Sequence, residues 1–391
     1  MTEWRESKLG DVITLKRGYD LPQQRRKMGP FPIVSSSGVT DHHIEAKVKG
    51  PGVVTGRYGT LGEVFYIQGD FWPLNTSLYV QDFKGNDPRF VSFFLRTLNF
   101  GTKNAAGAVP GVNRNHLHAM DVRIPSLPVQ RRIGGILSAY DELIENNQRR
   151  IKILEDMARS LYRKWFVHFR FPGHEKVKMV PSSLGPIPQG WSVRSVGEVA
   201  EVFRGRSYRS ADLAEAGGLP FLNLKCLDRD GGFRRSGLKR YIGEYGDTHV
   251  AKKGDIVVAV TDMTQERRIV ARVAWVPTLD QDFGVFSMDL VRVEPKPPLP
   301  KSFLYGFLRF SPFADEVKQH ANGANVLHLS PDRIRDYRFA VPSAKLMDRF
   351  AGLVCPSLEH TDTLENQYVA LRRTRDLLLP RLLSEPLERI S

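Results

Sequence analysis

The chain has 391 residues, 41% of them hydrophobic and 10% aromatic, and a formal net charge of +14. That composition excludes a disordered polymer, and no apolar run approaches the roughly 18 residues of a membrane span. The amino-terminal MTEWRESKLGDV lacks the apolar core of a signal peptide, and Cys226 and Cys355 lie outside any CxxC pattern. Both features point to a reduced, cytoplasmic protein. Residues 1–190 carry 27 basic and 17 acidic side chains, and residues 191–391 carry 30 and 26. Both halves are basic, so a polyanionic partner is expected, and nucleic acid leads because clustered Lys and Arg gain affinity by releasing phosphate counterions.

In chain order, the first element is the strand-rich opening KLGDVITLKRG (8–18), which returns as SVGEVAEVFRG (195–205). Trp4 and Trp191 precede the two copies, 187 positions apart. Alternating apolar residues broken by Gly, Asp and Pro predict short strands and hairpins in GPGVVTGRYGTLGEVFYI (50–67) and TSLYVQDF (76–83). RFVSFFLRT (89–97) then predicts one amphipathic helix packed on that sheet. Its counterpart is SFLYGFLRF (302–310), with Phe90, Phe94, Leu95 and Arg96 falling on Phe303, Phe307, Leu308 and Arg309. HLHAMDVRIPSLPVQRRI (116–133) likewise answers to RIRDYRFAVPSAKLMDRF (333–350), now 217 positions apart. The offset grows because the second copy carries about thirty extra residues in its middle, the mark of a shared scaffold with two different exposed surfaces.

After each globular part comes a long helix. Residues 129–166 contain neither Gly nor Pro after Gly135, and apolar or tolerant residues recur at spacings of four and three from Ile133 through Leu137, Tyr140, Ile144, Asn147, Ile151, Leu154, Ala158 and Leu161 to Trp165. The second copy keeps this heptad register from Phe350 through Val354, Leu364, Tyr368, Leu371 and Leu378 to Leu382, with Arg375 on the seam and Pro380 expected to kink or end the helix. Connectivity makes the pair antiparallel, packed through Ile144, Ile151, Leu154 and Leu161 against Leu364, Tyr368, Leu371 and Leu378, with residues 384–391 returning near residue 4. A 38-residue helix reaches about 57 Å. A spacer of that size suits half-sites about one DNA turn apart, roughly 34–36 Å between centres. Residues 167–190, rich in Pro, Gly and charge, read as a linker.

The order of globular part, long helix, globular part, long helix resembles the DNA-specificity subunit of type I restriction–modification systems. The runs LYRKWFVHFRFP…SSLGPIPQGWSVRSVGEV and LENQYVALRRTRDLLLPRLLS look like that family's two repeated regions, and PSLPVQ leads into the first helix as it does there. The resemblance implies an α+β fold with a pseudo-twofold internal repeat. Target-recognition domains would span 1–125 and 191–342, spacer helices 126–166 and 343–391 would form an antiparallel coiled coil, and a linker would span 167–190. It also implies a double-stranded DNA site in two halves, two methyltransferase (modification) subunits, and restriction/translocase subunits. Those partners would use S-adenosylmethionine, ATP and magnesium, with no cofactor or metal in this chain and no membrane contact.

The residues themselves carry no persuasive active centre. NDPRF (86–90) lacks the second proline of an adenine-methylating loop, and GTLGEV (59–64) lacks the Lys of a phosphate-cradling loop and reads as a hairpin turn. Glu45-x-Lys47 and Glu316-x-Lys318 are triplets common in charged chains. His42, His43, His116 and His118 lack zinc-ligand spacing and read as surface or phosphate-contacting groups. The chain therefore reads as a non-enzyme. The alternatives are a self-contained DNA methyltransferase or nuclease with an undetected centre, and a stand-alone DNA-binding regulator. Expected DNA contacts in the first copy are Lys16, Arg17, Tyr19, Arg25, Arg26, Arg57, Tyr58, Asn113 and Arg114. In the second copy they are Arg204, Arg206, Tyr208, Arg209, Thr261, Arg267 and Asn325, because loops bearing such donors read bases and hold phosphates.

Overall fold

The computed structural model describes residues 4–58, 62–98 and 111–384. The chain divides into two compact units, Met1–Asn147 with Gln367–Ser391, and Gln148–Asn366. Each holds one globular part and a stretch of each long helix.

Both globular parts are built to one plan. In the first unit an antiparallel sheet runs Thr14–Arg17, Ser77–Asp82, Gly52–Gly56, Val64–Ile67. In the second the equivalent order is Ala200–Arg204, Leu290–Pro295, Ile256–Ala259, Val273–Trp275. The amphipathic helix Pro88–Thr97 or Lys301–Phe310 packs on this sheet and buries Phe90 and Phe94, or Phe303 and Phe307. Asp87 caps the first of these helices by accepting from the Phe90 N–H, so the Asn86-Asp87-Pro88 string is a helix start. Each part is closed by an antiparallel ribbon of its first and last strands: Arg5–Lys8 with Asp121–Ile124, and Ser192–Ser195 with Arg338–Val341.

The repeated Arg-Gly has a steric cause. The Gly18 N–H donates to Ser77 O and Tyr19 N–H to Pro73 O, as Gly205 donates to Leu290 O and Arg206 to Phe286 O. At both glycines the chain crosses so close to the neighbouring backbone that a Cβ would overlap the carbonyl of Leu74 or Ser287.

The units differ in their second sheet. The first has three strands, Gly38–His43, Phe31–Ser35, Trp72–Pro73; the second has five, Leu213–Ala214, Lys239–Tyr241, Leu219–Leu222, Phe283–Phe286, Val250–Lys252. In both, one strand pair is parallel, Phe31–Ser35 with Trp72–Pro73 and Leu219–Leu222 with Phe283–Phe286. Phe31–Ser35 reaches Gly38–His43 through a tight turn, whereas Leu219–Leu222 reaches Lys239–Tyr241 only after residues 223–238.

The long helices are Leu127–Tyr162, continued by a π-helical turn at Arg163–Val167, and Ala344–Ser384. The π turn lets the adjacent Trp165 and Phe166 both enter the core. Every seam position expected from the heptads is buried or half-buried. Partners meet in opposite order. In the first unit Asn147 donates to Gln367 (3.5 Å), Arg375 pairs with Asp141 (2.5 Å), and Ile133 and Leu137 share a core with Leu382. In the second, Arg150 meets His360, and Tyr162 and Trp165 pack on Phe350. Arg375 does not break the seam because Asp141, which also holds Arg96, neutralises it.

Two expectations are corrected here. Pro380 does not end the second helix, which continues to Ser384 and also passes Pro356; Leu378 and Leu382 pack on either side of Pro380 and hold the turn in place. His43 is buried, its ring against Trp72 and its Nδ1 bonded to the Lys27 backbone, and His118 accepts from the Leu15 N–H. Both are structural groups. The expected return of residues 384–391 concerns a tail of which 385–391 lies outside the described residues. The stretch 167–190 contains a small hairpin, Met179–Val180 with Ile187–Pro188. Phe169 and Phe171 pack there on Trp191.

Gly18→Ala and Gly205→Ala should each destabilise the fold by about 2 kcal/mol or more, because backbone and not a flexible side chain must move. Urea unfolding will read the loss; Gly135→Ala, with open space at an exposed helical position, should instead stabilise by up to about 1 kcal/mol.

Candidate nucleic-acid interface

In the first unit, Arg17 at the end of a sheet strand, Arg57 and Tyr58 after Gly52–Gly56, and Asn113 and Arg114 line one open cleft of about 450 Å³. The sequence-nominated residues are thus brought together from three separate loops. Arg57 stacks on Tyr58, 4.5 Å from guanidinium to ring centroid, and the Arg57 carbonyl accepts from the Val112 N–H (2.9 Å), tying two of the loops. Asn113 carries a second duty, since its side chain caps the turn Arg114–His118 by accepting from the Asn115 N–H. Lys16 lies over the Tyr19 ring at 5.9 Å, and the Tyr19 hydroxyl shares a hydrogen bond with Tyr79 (3.0 Å). Arg25 is exposed on the turn Gln23–Arg25, while Arg26 is held by Asp41 and the Leu21 carbonyl. Gly59 and Thr60, part of the same nominated loop, lie outside the described residues.

The second unit repeats this backbone with different side chains. Leu329 N–H donates to Val260 O and Val260 N–H to Asp289 O, as Val112 donates to Arg57 O and Arg57 to Thr76 O. Val260 therefore stands where the first unit has Arg57, and Thr261 where it has Tyr58. Tyr58 is 40% exposed but Thr261 only 4%, in the strand Thr261–Asp262 paired with Leu327–His328. Thr261 is accordingly removed from the set of contact residues. Arg204, Arg209 and Asn325 are exposed; Arg206 is half-buried; Arg267, at a positive φ of 52°, donates to Ala321 O.

Of the residues nominated in the second copy, only Tyr208 lines that unit's own cleft of about 380 Å³. The cations there are Lys225, Arg229, Arg234, Lys239 and Arg268. Four of them lie on or beside 223–238, the stretch without a counterpart, and a count of Lys and Arg in LKCLDRDGGFRRSGLKR would have found them. The loop over the cleft is tied down by Asp262, which accepts from the N–H groups of Thr264, Ile269 and Val270 and from the Thr264 hydroxyl. Burial alone would raise the Asp262 carboxyl, but these donors outweigh it and hold it below the usual carboxylate range. Beneath the stretch, burial pushes the Cys226 thiol up to about 12, so it is a core group and not a nucleophile.

A buried charge cluster anchors the same stretch. Arg235 pairs with Asp362 (2.7 Å) and Glu365 (3.2 Å) of the second long helix, and Asp362 also takes Lys253 and both donors of Thr278. Burial would raise the Asp362 carboxyl, yet the bonds from Thr278 and Lys253 hold it below the ordinary value.

Chemistry-bearing groups elsewhere are tied into structure. Glu316 accepts from the Tyr337 hydroxyl and Lys318 pairs with Asp315. Among the described residues no group of three or more His, Cys, Asp or Glu could hold a metal ion, and no helix is long and apolar enough to cross a membrane.

The duplicated scaffold and its long helices agree with what comparison with known proteins finds. The family model described as the type I restriction modification DNA specificity domain matches residues 1–156 and 188–346, and the chain belongs to that family. It is 25% identical over 303 residues to the type I restriction enzyme MjaIX specificity subunit of Methanocaldococcus jannaschii, covering 74% of this chain and 66% of that one. It is 29% identical over 175 residues to the MjaVIII specificity subunit of the same organism, covering 43% and 38%. The matches thus span less than two thirds of the length of these curated relatives. The fold is similar to the crystal structure of a type I restriction–modification S subunit from M. genitalium, with a TM-score of 0.66 at 15% identity, covering 98% of this chain and 97% of that one.

Asp362→Asn should cost about 3 kcal/mol near neutral pH, because Arg235 and Lys253 keep their charges without the buried anion. Since folding depresses the Asp362 pKa, its contribution is present above the unfolded value near 3.9 and is lost as pH falls through the lower folded value. Chemical denaturation from pH 7 to pH 2 should therefore show wild type and variant converging only at the acid end.

Proposed function

We propose that this chain is the DNA-recognising subunit of a type I restriction–modification complex. Each unit reads one half of a split site, and catalysis is supplied by partners. The observation that carries this is the duplicated scaffold with a cation-lined cleft in each copy, built from different loops, and different side chains at equivalent positions, Arg57 against Val260 and Tyr58 against Thr261. One scaffold with two dissimilar surfaces suits a site whose halves differ in sequence. Family membership supports DNA recognition and assembly into such a complex.

In this reading two methyltransferase subunits and the restriction/translocase subunits bring S-adenosylmethionine, ATP and magnesium. The chain contributes Arg17, Arg57, Tyr58 and Arg114 to one half-site, and Arg204, Arg206, Tyr208, Arg209, Arg267 and Asn325 to the other. Lys16, Tyr19, Arg25 and Asn113 flank the first set. The long helices set the unread gap.

Mapping N6-methyladenine in the host genome should yield a motif of two short halves around a gap. On duplexes carrying that motif, Arg57→Ala should weaken binding about tenfold, the scale of one lost arginine–base contact. The loss should vanish when one half is scrambled and persist when the other is; equal loss in both cases contradicts the assignment. Purified chain incubated with S-adenosylmethionine or magnesium should leave DNA unmodified and uncut, and methylation should begin only when the methyltransferase is added. Methylation or cleavage by the chain alone would overturn the reading.

A further inference from the structure

The hairpin that is a tight turn in the first unit and runs through 223–238 in the second adds a feature that the shared plan does not need. Its cations fall into two groups. Arg235 is engaged by Asp362 and Glu365, and Arg240 by Asp280. Lys225, Arg229 and Lys239 are exposed, line the cleft, and enter no ion pair among the described residues. Arg268 joins them from the facing loop, and Arg234 is bound only through its Nε to the Lys225 carbonyl.

The cleft also holds groups able to tell one base from another, but they are already occupied. Both donors of the Asn223 amide go to the carbonyls of Phe221 and Gly237, and its oxygen accepts from the Lys225 N–H. Asp262 accepts four donors, and Asp289 accepts from the Ser287 hydroxyl. What remains free is almost wholly donor and positive. Five cations facing two engaged carboxylates repel one another, and a neutral base edge relieves little of that repulsion. A row of phosphates relieves it and offers acceptors alone.

We infer that the stretch 223–239 is a phosphate clamp of the second unit, in which Lys225, Arg229 and Lys239 hold the DNA backbone and do not read sequence. The inference rests on the proposed DNA-reading role and assigns to this stretch positioning in place of specificity.

The test uses the full chain with its methyltransferase partner and a duplex bearing the mapped site, with fluorescence anisotropy across a salt series. For the combined Lys225→Gln, Arg229→Gln and Lys239→Gln variant, the slope of log affinity against log salt should shrink by about 2.7, near 0.9 per lost contact. The methylated motif and the thermal midpoint should stay unchanged. Lys225→Arg with Lys239→Arg, which keeps the charge, should retain the wild-type slope. An unchanged slope in the glutamine variant overturns the clamp, and so does a changed second half of the motif, which would mean that these side chains read bases. A wild-type complex with no preference for its mapped site would overturn the DNA-reading role together with the clamp; a normal wild type with an unchanged variant overturns the clamp alone.

Discussion

In each unit the first strand of the globular part pairs antiparallel with the last, Arg5–Lys8 with Asp121–Ile124 and Ser192–Ser195 with Arg338–Val341. This closure fixes where the chain enters and leaves, so the long helix that follows always starts from the same place on the scaffold. With the ends pinned, the cost of lengthening a segment between them grows only slowly with its length. The second unit shows the result. Its extra residues lie between the ribbon strands, in 223–238, in the loop after Ile256–Ala259 and in two added edge strands, while the four-stranded sheet and its helix keep their order.

Charge is organised with the same separation of duties. By count the first half is the more basic, yet the second unit gathers the larger set of unengaged cations in one cleft. Two of the acids that lower the second half's net charge, Asp262 and Asp289, line that cleft but are engaged by hydrogen bonds, and others sit elsewhere. Asp362, Glu365 and Asp280 neutralise structural arginines, and Asp255 holds Arg292 and Lys301. Net charge over a segment therefore says little about the face presented to a polyanion, because paired charges cancel at short range and only unpaired ones project a field.

How much was legible follows from which signals are local. The heptads were readable because a seam repeats its pattern many times, and even Arg375 fits once Asp141 is placed opposite it. The passage of the second helix through Pro356 and Pro380 was not, since packing of residues on either side overrides a local helix breaker. Arg17, Arg57 and Tyr58 could be nominated because they end recognisable strands, and the structure places them on one cleft with Asn113 and Arg114. Thr261 was misplaced because a two-residue strand leaves no periodic trace, and His43 and His118 because tertiary partners decide whether a histidine is buried. The cations of 223–239 were missed for a different reason. Comparison between the copies draws attention to what is shared, and this stretch has no counterpart.

The tight turn between Phe31–Ser35 and Gly38–His43 occupies the place where the second unit has grown an arm. Because both flanking strands keep their partners whatever joins them, the junction tolerates novelty. Such a junction can therefore take on connectors of new length and charge one at a time, leaving the rest of the scaffold untouched.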